Sequence, residues 1–215
     1  MDAIKRLTLP LSQSDVRSLN AGDLVVLDGE IIITAGIPTH ERILDYLRQG
    51  KPLPIDLRNG ALLHLGGYSE EAEGGLDLLY MNPTTSTRFN HLMPEIIRGL
   101  GLRVTGGKGG LDARSTAAMK EVGCVYLSFL GGGCTLLSQA IREVKTVAWN
   151  DLIVHYRLTK LKVEGLGPAT VGIDAHGRSL YEVGAQQAVE RLPAILEKLE
   201  AARANASSAQ PPVKA

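Results

Sequence analysis

Six consecutive residues, Pro83-Thr84-Thr85-Ser86-Thr87-Arg88, place four hydroxyl groups and a guanidinium where a β-rich run gives way to a helical one. The first turn of a helix leaves backbone N–H groups without intrahelical partners, and such groups bind anions. Threonine hydroxyls add donors, and arginine adds a planar fork that matches a carboxylate. Thr84, Thr85 and Arg88 are therefore suited to grip one end of a carboxylic acid. On spacing alone, an ordinary capped helix start with a surface arginine reads the same way.

A second turn of related character follows another β-rich run: Gly106-Gly107-Lys108-Gly109-Gly110. Glycines such as Gly107 and Gly109 let the backbone approach a ligand closely, and Lys108 brings a positive charge. The pattern is not a nucleotide phosphate loop, because no GxxxxGK[ST] is present. The plain alternative is a glycine-permitted bend with a solvated lysine. Two anion-friendly turns, each after an expected strand, predict one shared pocket, since α/β folds bind ligands in crevices beyond strand ends.

His40 follows Thr34-Ala35-Gly36 and shares a helix face with Ile43, Leu44 and Leu47, so it reads either as a buried structural histidine or as a donor lining that pocket. His64, His91, His155 and His176 show no ligand spacing. Cys124 and Cys134, the two cysteines, form no CxxC pair and cannot supply the four thiolates of a cluster, so they read as buried thiols and no metal site is expected on this chain. The sequence has neither a G-x-S-x-G elbow nor an HExxH motif, and no carboxylate pair stands beside the two turns. It is equipped to bind an anion and poorly equipped with a base.

The elements that must position these groups are those of an α/β domain. Strands are expected at 5–11, 61–65, 76–81, 102–105, 124–130, 144–149, 158–163 and 170–173. Residues 24–33 are expected to form two short strands split by a turn at Asp28-Gly29. A helix should start with Thr39 as its cap, after Pro38, and end at Gly50. Further helices are expected after Arg88 (with Leu92, Ile96, Ile97 and Leu100 on one side), at 112–122, at 135–142 and at 186–204. Pro193 should kink or restart the last of these. The acidic, glycine-rich stretch after Gly66-Gly67 reads as an exposed loop. Residues 1–204 are expected to form one domain, with a frayed tail at 205–215.

Lysine plus arginine equals aspartate plus glutamate, 23 each, which argues against a partner that is nucleic acid or anionic membrane. The longest uncharged stretch, 122–141, is broken by Gly131-Gly132-Gly133 and does not suit a membrane span. With no leader-like apolar run in the first dozen residues, a cytoplasmic location is expected.

With these motifs in hand, the sequence resembles the family of the L(+)-tartrate dehydratase β subunit and the C-terminal domain of class I (iron–sulfur) fumarases, from about residue 7 to 180. The likeness is carried by Gly22-Asp23 with Gly29, by Thr34-Ala35 with His40, and by Pro83-Thr84-Thr85-Ser86 with Arg88. It continues through Gly107-Lys108-Gly109-Gly110, Gly132-Gly133, and Ile173-Asp174 with Gly177. The resemblance implies a swivelling β/β/α domain with a mixed sheet and flanking helices. It implies a hydro-lyase that adds or removes water on a small dicarboxylic acid, active only with a partner α subunit, in an α2β2 assembly. The partner would hold a [4Fe-4S] cluster, whose open iron acts as a Lewis acid, and would supply the base. Thr84, Arg88, Lys108 and His40 would bind the substrate.

The frame T-x-R-D-x-x-H of the family is broken here, with Gly36-Ile37 in place of Arg-Asp. Gly66-Gly67 stands for Gly-Pro, and Asn82 for a glycine. Loss of the arginine at Gly36 leaves three expectations. The favoured one is that the vacated space takes a substituted or less charged diacid; otherwise a neighbour such as Arg42 or the partner supplies the charge, or the site is inactive. A binding or regulatory module derived from such a subunit is the alternative function.

Overall fold

The computed structural model describes residues 4–72 and 75–208. Its contacts divide the chain after Ser179 into two units. In chain order the first unit runs β1 (Lys5–Thr8), α1 (Gln13–Arg17), β2 (Leu24–Ile33), α2 (Ile37–Arg48), β3 (Ala61–Leu63), β4 (Leu65–Ala72), β5 (Gly75–Pro83), a 3-10 turn over Ser86–Phe89 and α3 (Met93–Leu100). It continues with β6 (Val104–Gly107), α4 (Ala113–Val122), β7 (Val125–Ser128), α5 (Cys134–Ser138), β8 (Ile141–Ala148), a 3-10 turn over Val154–Tyr156, and β9 (Leu158–Ile173). The second unit holds one helix, α6 (Leu180–Ser208).

The main sheet is mixed, in the order β1-β2-β3-β6-β7-β9-β8, and β2 also pairs with β9. Pairings β2–β3, β3–β6 and β6–β7 are parallel. Those of β9 with β7 and β2 are antiparallel. The extra pairing closes five strands into a ring, so β2 and β9 are covered on both edges rather than left open to other chains. Val25, Leu27, Ile31 and Ile33, at alternate positions of β2, enter the core with Leu63, Val104, Val125, Leu127, Leu161 and Val163. The α/β fold class read from the sequence is the one observed.

Several expected elements differ. Asp28-Gly29 makes no turn: β2 is continuous across it, with a register irregularity against β9. The Asp28 carboxylate accepts from Gly165 N–H (2.8 Å) and from Arg6, while Gly29, at φ 109°, lets the strand bend against Leu9. A dipeptide with turn propensity serves here as a strand bulge. Thr39 does not cap α2. The helix starts at Ile37 with Gly36 as N-cap and Pro38 in its first turn, and the Thr39 hydroxyl donates to the Tyr156 carbonyl instead.

The stretch expected as a loop is the hairpin β4–β5, with Tyr68 stacked on Tyr80 across the pair at 5.8 Å; its tip, 73–74, lies outside the described residues. Arg88 lies within the 3-10 turn Ser86–Phe89, and the helix expected after it, α3, starts only at Met93. The helix expected at 135–142 stops at Ser138, because the β-branched run from Ile141 pairs with β9. The two strands expected at 158–163 and 170–173 are one, β9, which bends at Gly165 (φ 68°) and Gly167 (φ 147°). Helix α6 begins at Leu180 and runs on through Pro193; of the expected tail, 209–215 lie outside the described residues. No helix among the described residues is long and apolar enough to cross a membrane.

The bulge at Gly29 is a strict requirement of this fold. A Cβ there would lie 2.8 Å from the Leu9 carbonyl oxygen, at a φ that side chains rarely adopt. The Gly29→Ala variant is expected to lose about 2 kcal/mol of stability in urea unfolding. An unchanged midpoint would show that the strand can bend elsewhere.

Candidate functional site

The parallel pairing of β2, β3, β6 and β7 brings their carboxyl ends to one edge. Backbone hydrogen bonds continue past the strands. His64 N–H donates to Gly106 O (2.6 Å), Thr84 N–H to His64 O (2.9 Å), Lys108 N–H to Thr84 O (3.0 Å), Ser86 N–H to Lys108 O (2.8 Å) and Phe129 N–H to Gly107 O (2.8 Å). The threonine-rich turn is thereby set beside the glycine–lysine turn, in a parallel bridge of Thr85 with Lys108. This seating needs Gly107: a Cβ there would collide with Ser86 Oγ and lie 3.0 Å from both His64 Cβ and the Thr84 carbonyl oxygen. Gly109 (φ 82°) turns the chain beside the Thr85 methyl, and Gly131 lies against the stem of Lys108.

Arg88 reaches back over its own turn. Its Nη2 donates to Thr84 Oγ1 (2.6 Å) and to the Ala35 carbonyl (3.3 Å), and its guanidinium carbon lies 5.4 Å from the Phe89 ring centre. Thr84, Thr85 and Lys108 are half-buried and Arg88 is exposed, so this edge is open to solvent. Neither Arg88 nor Lys108 meets a carboxylate among the described residues, whereas Arg6, Arg42, Arg48, Arg58, Arg98 and Arg142 each do.

Under this surface lies a buried aromatic layer. His40 stacks on Phe89 (ring centres 4.1 Å apart) and lies 5.1 Å from His64, which is itself 4.6 Å from Phe89. Both histidines are fully buried. His40 Nδ1 is 2.6 Å from the Gly36 carbonyl, and His64 Nδ1 is 2.8 Å from Ser86 Oγ, which in turn is 2.8 Å from Tyr126 OH. Gly110 N–H also donates to Tyr126 OH, at 3.3 Å. The Nε2 atoms of both histidines have no hydrogen-bond partner among the described residues. Burial lowers the pKa of His40 to about 4, against the opposing effect of its bond to Gly36, and the Arg88 charge adds to the lowering. His64 is pushed well below its ordinary value by burial first, then by His40 and Arg88.

Thr84, Thr85, Arg88, Gly107, Lys108 and Gly109 thus stand together. His40 stands behind them, beneath Phe89, with no exposed surface of its own. His64 and Tyr126 were missed in the sequence, where His64 gives one signal, a polar residue at the end of the apolar run Ala61-Leu62-Leu63; Ser86 stood in the threonine-rich motif, but its bonds to both were not foreseen. Gly36 is also differently placed from its expectation. The space beside it is filled by Thr39 and Tyr156: a Cβ at Gly36 would lie 2.6 Å from Thr39 Oγ1 and 2.7 and 2.8 Å from Tyr156 Cβ and Cγ. Arg42 is committed to Asp151 through two hydrogen bonds of 2.7 and 2.9 Å and lies over Trp149. It does not replace a charge at Gly36.

Among the described residues no three His, Cys, Asp or Glu side chains are grouped so as to hold a metal ion. Cys124 is buried, and burial pushes its thiol pKa up, away from the thiolate that a cluster needs. The donor set of this chain does not fit an iron–sulfur cluster.

Fold and site together define an α/β domain with an open edge that carries Arg88 and Lys108. The chain belongs to the family described as fumarase C-terminus, whose model matches residues 2–184. It is 27% identical over 195 residues to the L(+)-tartrate dehydratase subunit beta of Escherichia coli (strain K12), covering 91% of this chain and 95% of that one. A Methanocaldococcus jannaschii protein provisionally named as the same subunit is 32% identical over 183 residues, 85% of this chain and 93% of the relative. A Geobacillus stearothermophilus protein provisionally named as a class I fumarate hydratase is 29% identical over 187 residues, 86% of this chain and 35% of its own length.

The buried neutral histidines set a pH dependence with a definite sign. Unfolded, His40 titrates near 6.5; folded, near 4. Its contribution is intact above pH 6.5 and is lost as pH falls toward 4, because the unfolded chain then binds a proton that the folded chain refuses. Denaturant unfolding at pH 7 and pH 5 should show a loss of about 1–2 kcal/mol from His40 alone. The His40→Gln variant should flatten this slope, and an equal slope in the variant would assign it to other groups.

Proposed function

We propose that this chain is the β subunit of a two-subunit hydro-lyase that reversibly adds or removes water on a small dicarboxylic acid, and that it supplies the carboxylate-binding groups. The observation that carries this reading is the meeting, at one set of strand ends, of two turns that carry cations unpaired among the described residues, Arg88 and Lys108. Arg88 is aimed by Thr84 and Ala35, and Lys108 is held by the bridge to Thr85. A planar guanidinium, a lysine ammonium and the Thr84 and Thr85 hydroxyls make a receptor for one carboxylate of a bound acid. Their positions are set by backbone hydrogen bonds, so they orient the acid rather than follow it.

The relatives named as tartrate dehydratase β subunits and a fumarate hydratase support the reaction class. The word "subunit" in those names supports a partner α subunit, and α2β2 is the assembly we propose. The [4Fe-4S] cluster and the base are assigned to that partner, because the cysteines here do not fit a cluster and, among the described residues, no acidic side chain bonds to the site's cations. This chain's residues bind and orient the acid; His40 acts from behind, by holding the Gly36 carbonyl and packing Phe89 under Arg88. We propose that the binding domain extends over the expected 1–204 and works in the cytoplasm.

The test is anaerobic reconstitution with the cluster-bearing partner, assayed on fumarate, malate and tartrate. The chain alone should show no turnover. Arg88→Ala and Lys108→Ala should each lower kcat/KM of the complex by roughly 30- to 1000-fold, equivalent to about 2–4 kcal/mol. Turnover by the chain alone, or undiminished kcat/KM in both variants, would sink the reading. A complex that binds acids and never turns them over would mark a regulatory module instead.

A further inference from the structure

Gly36 ends the passage from β2 to α2, and the space beside it belongs to a residue far along the chain. Tyr156 sits in the short turn Val154–Tyr156, pinned to this passage by three hydrogen bonds. The Thr34 hydroxyl donates to the Tyr156 carbonyl at 3.0 Å, the Thr39 hydroxyl donates to the same carbonyl, and Ala35 N–H donates to the His155 carbonyl at 2.9 Å. On another side the turn meets β4: a Cβ at Gly66 would lie 3.5 Å from His155 Cβ and 3.2 Å from Ala35 Cβ. Both glycines therefore make room for this turn. Ala35 links it to the acid-binding groups, since the Ala35 carbonyl accepts from Arg88.

The turn brings no permanent charge. Tyr156 is half-buried and His155 is exposed, with their rings edge to face at 5.2 Å. Of the nearby guanidiniums, Arg42 is paired with Asp151, and Arg157 keeps its charge but is turned onto the carbonyls of Leu152 (3.0 Å) and Asn150 (3.3 Å). A second carboxylate placed against the Tyr156 ring would lose water to an uncharged surface, whereas an apolar substituent would gain contact with it.

We propose that Tyr156, seated over Gly36, is a specificity-determining residue of the acid-binding site, and that it selects a diacid bearing an uncharged, apolar substituent on its carbon chain over the bare diacid. The inference rests on the acid-binding reading of Arg88 and Lys108, and goes beyond it by naming what the neighbouring wall recognises. Pinning by Thr34, Ala35 and Thr39 makes the wall rigid, so it discriminates by fit.

The experiment is an NMR titration of the intact chain with two unreactive acids, succinate and 2-methylsuccinate. The unaltered chain should bind the methylated acid about tenfold more tightly, the order of discrimination that one carbon yields in a fitted pocket. Tyr156→Ala should bring the two affinities to within about twofold while both acids still bind, and Tyr156→Phe should keep the preference. Gly36→Ala, which crowds both the Thr39 hydroxyl and the Tyr156 side chain while leaving the ring present, should also reduce the preference. Arg88→Ala should weaken both acids together. An unchanged preference in Tyr156→Ala, with Arg88→Ala weakened, overturns the inference and leaves the acid site standing. Equal binding of both acids by the unaltered chain overturns it too. Binding of neither acid by the unaltered chain, or full binding by Arg88→Ala, overturns the acid-site reading and the inference with it.

Discussion

The absence of one side chain, at Gly107, is the constraint on which the site depends. Two turns separated in sequence come close enough for Lys108 N–H to reach Thr84 O and for Ser86 N–H to reach Lys108 O. A methyl group at Gly107 would press against Ser86 Oγ, His64 Cβ and the Thr84 carbonyl at once. The first contact breaks the His64–Ser86–Tyr126 chain and the last breaks the backbone seam. The two consequences are coupled, because Ser86 carries both its backbone bond to Lys108 and its hydroxyl bond to His64. Loss of close approach at this point would separate Arg88 from Lys108 without touching either charge.

The buried layer explains why these cations stay available to a ligand. A protonated histidine beneath Arg88 would repel it, and an acidic residue there would neutralise it. His40 and His64 do neither, since burial keeps both rings uncharged near neutral pH. Phe89 offers the guanidinium an aromatic surface, and Thr84 and Ala35 accept its N–H groups. All three supports are uncharged, so the positive charge is oriented but not cancelled. Most other arginines with a charged partner here sit in exposed ion pairs, which contribute little to stability.

What the sequence made legible follows from the range of the interactions. Thr84, Thr85, Arg88 and Lys108 lie in short motifs whose chemistry is local, so their grouping could be argued from two strand-to-turn transitions. The α/β class was legible for the same reason, from apolar periodicity. Asp28-Gly29 misled because the same φ-permissive pair serves a turn or a bulge, and the choice rests on Gly165 and Leu9, far away in sequence. Thr39 misled because its hydroxyl found a carbonyl at residue 156 rather than its own helix end. Closure of the sheet by β2 and β9 had no local signal. The same holds for Tyr156: a glycine at 36 reads as a loss when seen alone, and becomes a seat only when residue 156 is brought to it.

An open edge with one exposed and one half-buried cation holds an anion weakly by itself, because water screens each charge and competes for each N–H. The strength of such a receptor depends on what covers it. On the proposed reading the cover is the partner subunit, which would remove water and raise the worth of every contact already in place. This division suits a chain whose charges are oriented by neutral groups: nothing in the site needs to titrate or rearrange when it is covered. It also places the demand for precision on the backbone seam at Gly107 and on the pinned turn at Tyr156. Both are set by folding before any acid arrives, so the cost of ordering the receptor does not fall on binding.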